Sequence, residues 1–259
     1  MQLIIPNWVN VPRNISAFST LREGGVSAAP YDDGSGGGGL NLGTHVGDKL
    51  EAVARNRALL ETLLPASPIW LSQVHSADVV DVAAVSTGVE ADAVIATQPG
   101  MVCAIQTADC LPVLFADLDG RVVGAAHAGW RGLVAGVLQN TVERMKAAGA
   151  GDIVAWLGPA IGRDQFEVGG DVLERFVERA ESTQMSHQIL AQTQACFAPI
   201  ADRPGKYLAD IYQLARIALQ QAGVQRIDGG GLCTVTDRRF YSYRRDKTTG
   251  RMVSLIWLK

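Results

Sequence analysis

His75, Cys110 and His127 are the residues whose types could do chemistry together, each standing at the polar edge of an apolar run. Cys110 follows the polar Thr107-Ala108-Asp109 and precedes a proline. Cys103, Cys196 and Cys233 sit among apolar neighbours and read as structural thiols. The runs LPVLFAD (111–117) and RVVGAAH (121–127) are β-rich, and Asp119-Gly120 between them is a hairpin signal. Closing that hairpin sets Leu111 or Pro112 opposite His127, so Cys110 starts beside His127, roughly 5–8 Å away. Gly129-Trp130-Arg131-Gly132 follows at once, which brings a guanidinium and loop N–H groups to the same rim. One thiolate and two imidazoles suit Zn²⁺, and three protein ligands leave a fourth position for water or substrate. A Cys110–His127 nucleophilic dyad is a second chemistry open to the same pair. Taken singly, each residue also fits a buried, hydrogen-bonded structural role.

The elements that must position these groups follow from periodicity and punctuation. Residues 1–20 read as one or two strands. The glycine-dense segment to residue 48 carries Arg22, Asn41 and His45, and its DDGSGGGG stretch (32–39) reads as a flexible loop. Residues 49–64 have helical spacing and stop at Pro65. The segment from Pro68 to His75 reads as a strand, with Gln73 and His75 on one face, and a second strand follows. A short strand lies within 90–100 with Asp92 at its start, where solvent is the expected neighbour. MVCAI (101–105) reads as a buried strand and 133–149 as an amphipathic helix. A further strand and a Gly/Pro loop occupy 153–172. Helices are expected over 171–182 and within 206–224, with irregular chain over 182–206. Strands are expected around a C-terminal basic, aromatic patch of Arg238, Arg239, Arg244, Arg245 and Lys247 with Tyr241 and Tyr243. That patch fits phosphate binding, base stacking or a solvated loop.

The composition excludes several classes. A net charge of −3 argues against nonspecific nucleic-acid binding. No apolar run approaches the ~20 residues of a membrane span, and the N-terminus lacks the basic start of a signal peptide. The expected location is the cytoplasm, with reduced thiols. Outside the low-complexity glycine run 34–39, which reads as a loop, no G-x-G-x-x-G fingerprint occurs, and no Walker A sequence does, so a nucleotide cofactor is not indicated. No repeat or separable linker divides the chain, and 1–259 reads as a single domain.

Taken in order, GGVS, LNLGTHVGD, SQVHSADVV, TADCLPVLFAD, AHAGWRGLVAGV, GPAIGRDQFEVGGDV and FYSYRRDKTTGRM resemble the family once called multicopper polyphenol oxidases. These laccase-domain proteins are now mostly described as purine nucleoside phosphorylases. The resemblance spans about residues 18–257, and the chain is identified as a member. It implies an α+β fold of stacked mixed β-sheets with outer helices, similar to a fold proposed for cysteine hydrolases. It implies a metal, Zn²⁺ or else Cu²⁺, on His75, Cys110 and His127. It also implies phosphorolysis of adenosine, inosine, guanosine and methylthioadenosine, with deamination of adenosine; the partners are then nucleosides and phosphate. Arg22, Arg131 and Arg244 stand in matching motifs as phosphate ligands, Asn41 and Gln73 as substrate contacts, and His45 or Asp109 as the group serving the leaving purine. DDGSGGGG departs from the family pattern and lengthens a loop there. Some relatives are described as peptidoglycan-editing factors, which makes a hydrolase acting on a cell-wall precursor amide the alternative. A copper phenol oxidase is a third reading, weakened because the chain has four histidines in all. A metal-binding partner protein without turnover is the non-enzymatic one.

Overall fold

The computed structural model describes residues 1–259. The chain opens with β1 (Leu3–Ile4), β2 (Ile15–Thr20), β3 (Glu23–Ser27) and the helix α1 (Leu50–Glu61). Next come β4 (Val79–Asp81), β5 (Ala93–Ala96), β6 (Val102–Thr107), β7 (Leu111–Asp117) and β8 (Val123–Ala128). Helices α2 (Trp130–Ala135) and α3 (Val137–Ala147) lead to β9 (Ile153–Leu157) and β10 (Glu167–Gly169). The helices α4 (Gly170–Ser182) and α5 (His187–Ala195) precede β11 (Phe197–Pro199) and β12 (Lys206–Ala209). The chain closes with α6 (Ile211–Gln221), β13 (Arg226–Gly229), α7 (Tyr243–Asp246) and β14 (Met252–Leu258).

Three sheets result: a mixed one ordered β13-β9-β7-β8-β5-β4, a four-stranded one ordered β1-β2-β14-β6, and a small one ordered β10-β12-β11. The period of two along each strand decides how they stack. In β7, Leu114 and Ala116 face a core shared with Cys103 and Ile105 of β6 and Ile256 of β14, between the two large sheets. Leu111, Val113 and Phe115 face the other way, against Val137, Leu138 and Val142 of α3 and Leu214, Ala215 and Leu219 of α6. The outer face of the four-stranded sheet places Val253, Leu255 and Trp257 against Leu60 of α1 and against Leu40 and Leu42. A fully buried Leu or Phe contributes about 1.5–3 kcal/mol, so these stacked cores carry the stability. The fold is α+β with stacked sheets. No helix is long and apolar enough to cross a membrane.

Several expectations change. Pro68–His75 is not a strand; it makes one bridge, Ser72 to Glu90, because its next amides go to a side chain described below. The helix expected over 133–149 is two helices, broken at Gly136 with φ 95°. The supposedly irregular 182–206 contains α5, capped by Ser186 accepting from the Ile189 N–H. Of the strands expected around the C-terminal patch, β14 forms after it, while the patch itself is a short helix within loops: Tyr241 is buried, Arg239 pairs with Asp237 and Arg245 with Asp246. The glycine stretch 32–39 packs against β3, where Gly39 bridges both Glu23 and Ser27. A Cβ on Gly39 would lie on the Tyr31 carbonyl and one on Gly38 on the Gly25 carbonyl. Glycine is what lets these backbones meet.

Candidate metal centre

The site forms where the chain leaves the four-stranded sheet at Thr107 and enters the six-stranded one at Leu111. The antiparallel register of β7 and β8 places Pro112 opposite His127, as the hairpin required. Asp109, just before Cys110, holds φ 87°, and His75 holds φ 63°. Both are non-glycine residues in the left-handed region, a strain that persists only where neighbours over-determine it. For Asp109 those neighbours are the Thr234 hydroxyl and the Arg244 N–H, each donating to its carboxylate at 2.6 Å.

For His75 and His127 the neighbour is Asp92, which is fully buried rather than in solvent. Its Oδ2 accepts from the Val74 and Ser76 N–H groups at 3.0 and 2.7 Å, gripping the turn that carries His75. Its Oδ1 lies 2.7 Å from Nδ1 of His127, and its carbonyl accepts the His127 N–H. A carboxylate at Nδ1 fixes a proton there, so that Nε2 is the nitrogen that gives up its proton to a metal, the arrangement found behind metal-bound histidines. Burial would raise the Asp92 pKa, but His127 and the two amides hold it below the usual carboxylate value.

The donor atoms of His75, Cys110 and His127 lie within 4.8 Å of one another, with Cys110 Sγ 3.9 Å from His75 Nε2. A tetrahedral ion with ordinary Zn–S and Zn–N bonds holds such a pair roughly 3.6 Å apart. The Cys110–His75 pair therefore fits such an ion with an inward shift of a few tenths of an ångström, and the third donor, His127, lies within 4.8 Å of both. The imidazole planes of His75 and His127 stand 66° apart, 4.8 Å between centroids. Gly129 makes room: a Cβ there would lie 3.0 Å from His75 Cδ2 and 3.1 Å from Cys110 Sγ. Burial works against the Cys110 thiolate, but His127 and then His75 outweigh it and bring the thiol down to about 6. His127 is opposed by burial too, and Cys110 and Asp92 raise it to about 9.

These residues open into a cleft of about 760 Å³. Of the residues expected at the site, His45, Gln73, Asp109, Arg131 and Arg244 line this cleft. Arg131 lies over Trp130, 4.5 Å from the ring centroid. The guanidinium of Arg244 donates to the Gln165 and Glu167 carbonyls, which aims it along the wall. Gln73 donates to the Gln106 carbonyl and accepts the Gln106 N–H, both at 2.8 Å, so its side chain acts as a short extra strand. His45 is at the rim; desolvation, then Arg251 and Arg57, lower its pKa. Arg22 and Asn41 do not line the cleft. Arg22 is buried over Tyr241 and donates to the Asp32 carbonyl. Asn41 bonds Gly43 and Asp48 and accepts the Arg251 N–H.

Sequence reasoning placed Asp92 in solvent, and passed over Arg57, Arg251, Gln106 and the ring of Phe166 as site residues. Arg57 lies 3.9 Å over the Trp70 ring with its Nε and Nη2 on the Leu42 carbonyl. Arg251 is desolvated enough to lower its pKa, although Cys110 and Asp109 oppose that. The signal for Arg251 was present in the TTGRM motif, and that for Asp92 was an acid directly against the apolar run 93–96.

Fold and site together define an α+β protein with a thiolate–bis-imidazole cluster at the junction of two stacked sheets. Residues 16–259 match the family model described as "Multi-copper polyphenol oxidoreductase laccase", and the chain belongs to that family. Full-length relatives are named for a different chemistry. Purine nucleoside phosphorylase YfiH of Escherichia coli K12 is 49% identical over 261 residues, covering 99% of both chains. A Haemophilus influenzae protein, also named purine nucleoside phosphorylase, is 48% identical over 262 residues and 100% of both chains. Among solved structures, Neisseria meningitidis protein NMB0706 superposes with a TM-score of 0.86 at 44% identity, covering 100% of both chains. Bacillus licheniformis YfiH, titled a hypothetical protein, gives 0.81 at 29% identity over 95% of this chain and 93% of that one.

Proposed function

We propose that this chain is a zinc-dependent purine nucleoside phosphorylase acting on adenosine, inosine, guanosine and methylthioadenosine, with deamination of adenosine as a second activity of the same cleft. The observation that carries the reading is one cleft holding the His75–Cys110–His127 cluster, stacking surfaces and four arginines. A zinc ion on the three ligands would supply a Lewis acid at the reacting end of that cleft.

In phosphorolysis a phosphate oxygen attacks C1′ as the glycosidic bond lengthens, so the protein must hold an anion beside a developing cation. Arg57, Arg131, Arg244 and Arg251 line the cleft, and none of them has a carboxylate within ion-pair distance. Unpaired guanidiniums in a partly desolvated cleft favour an oxyanion. Arg131 is the freest of them, and Arg244 is aimed by the two carbonyls it binds. Trp130, Phe166 and Tyr243 offer faces for the base. The departing purine takes a hydrogen bond or proton at its ring nitrogen. His45, kept neutral at pH 7 by its lowered pKa, can donate an N–H there. Asp109 is spent as an acceptor on Thr234 and Arg244, so its part is to position Arg244. Deamination would exchange the 6-amino group for oxygen from water and release ammonia.

The test is turnover of inosine and adenosine by metal-loaded protein, with and without phosphate. Phosphate-dependent formation of ribose 1-phosphate and free base is expected, with loss of roughly a hundredfold or more in His75→Ala and Cys110→Ala, as for groups that act as a unit. Wild-type protein that leaves both nucleosides unchanged removes the proposal.

A hydrolase acting on cell-wall precursor amides stays as the second reading because Cys110, held near 6 beside His127, has the activation of a nucleophile. With Cys110 as nucleophile that reading requires activity to survive chelation, whereas with a zinc-bound water it is told from ours by the substrate cleaved; ours requires chelation to abolish nucleoside turnover. A phenol oxidase with several coppers is disfavoured by the donors: only His75 and His127 of the four histidines meet in the cluster. A single Cu²⁺ fits the same three atoms.

A further inference from the structure

Gln106 lies at the end of β6 on the face it shares with Val102 and Ala104, and its side chain enters the cleft. It is 7% exposed, and its Oε1 is buried with no hydrogen-bond partner. Its main chain is fully used, with the Gln73 amide on both its N–H and its carbonyl. A buried amide oxygen without a partner is costly, and a fold keeps one where a ligand supplies the missing group. The missing group is a donor. Phosphate near neutral pH is chiefly an acceptor, with a single O–H on its dianion, and suits the arginines of the cleft better than this oxygen; a nucleoside offers N–H and O–H donors.

Resting on the phosphorylase reading, we infer that the Gln106 amide reads the six-position edge of the purine and is what makes the site accept both 6-amino and 6-oxo bases. A primary amide carries a donor and an acceptor side by side. Adenine presents N6–H beside the acceptor N1; hypoxanthine presents N1–H beside the acceptor O6. A half-turn of the terminal amide converts one match into the other. No protein group holds the Gln106 oxygen in one orientation, so the turn breaks no bond within the protein. The neighbouring Gln73, by contrast, has both ends of its amide fixed and cannot adapt.

The test uses full-length metal-loaded protein and compares wild type, Gln106→Glu and Gln106→Leu on adenosine, inosine and guanosine with saturating phosphate. Wild type is expected to use 6-amino and 6-oxo substrates within the same order of magnitude. A carboxylate only accepts, so Gln106→Glu should favour guanosine, whose N1–H and N2–H are adjacent donors, over adenosine by roughly tenfold or more in kcat/KM. Gln106→Leu should lower kcat/KM for all three by roughly tenfold to a hundredfold with the phosphate KM unchanged. Thermal melts alongside separate misfolding from lost contacts. A uniform loss in Gln106→Glu with no change in preference would assign the amide to the ribose and overturn the inference, as would a change confined to the phosphate KM. Wild type inactive on every nucleoside is a different failure, that of the phosphorylase reading itself.

Discussion

Asp92 is where a single side chain sets the geometry of the site. One oxygen fixes the proton on Nδ1 of His127, and the other grips the turn holding His75 in its left-handed conformation. Asp92→Asn preserves shape and volume but turns an acceptor into a donor at one end. Facing His127, the new N–H₂ would force the other tautomer, with hydrogen on Nε2 where a metal lone pair is needed. Metal affinity should fall roughly 10–100-fold while the far-ultraviolet circular dichroism stays native. Competition against a chromophoric chelator measures this, and unchanged affinity would refute the tautomer argument. The residue also explains why pairing stops after Ser72, since the Val74 and Ser76 amides that a ladder would use are bound to its carboxylate.

Among the elements, the pair α2 and α3 shows how a local break serves the cleft. The apolar spacing over 133–149 suggests one helix, and the packing of Val137, Leu138, Val142 and Met145 against the six-stranded sheet agrees with it. Gly136 ends α2 with φ 95°, letting α2 turn Trp130 and Arg131 toward the cleft while α3 stays on the sheet. A Cβ there would meet left-handed backbone strain and the Arg179 Nη2 at 2.9 Å. Gly136→Ala should cost about 1–2 kcal/mol from the backbone alone, read as a lower urea midpoint at unchanged slope. An unaltered midpoint would mean the break relaxes into a continuous helix. Legibility at this scale tracks sequence distance. The hairpin was readable because Asp119-Gly120 and its two apolar runs are adjacent; Gly120 holds φ 70° as such a turn needs. The helix α5 was hidden because only Thr193 of it is buried, so no apolar stripe marks it. Asp92 was misread because its partner is reached only through the pairing of β5 with β8, which places Ala93 opposite Ala126.

Across the whole molecule, the stacking of sheets sorts the four thiols into two kinds, and this gives a measurable contrast. Cys103 is fully buried between the large sheets, and burial pushes its pKa well up. Cys196 caps the end of α5 and is raised to about 12, by burial and then by Asp210. Cys110 is held at about 6 by the two histidines despite burial. Cys233 is also lowered: burial opposes, but hydrogen bonds from Thr236, Gly162 and Val235 outweigh it. Sequence context separated Cys110 from Cys103, since TADC is polar and MVCAI is not, but it placed Cys233 with the inert thiols. Thiolate is the reactive form, so a lowered pKa means reactivity that persists as pH falls toward that pKa. At pH 7, iodoacetamide on chelator-treated folded protein should modify Cys110 and Cys233, leaving Cys103 and Cys196 intact until urea unfolds the sheets. Adding Zn²⁺ should then protect Cys110 alone, because Cys233 lies in a separate hollow with Gly162, Arg163 and Tyr212. Peptide mass analysis reads all four positions in one experiment. Protection of Cys233 along with Cys110 would mean that the metal tightens the whole fold, and protection of neither would take the metal away from Cys110.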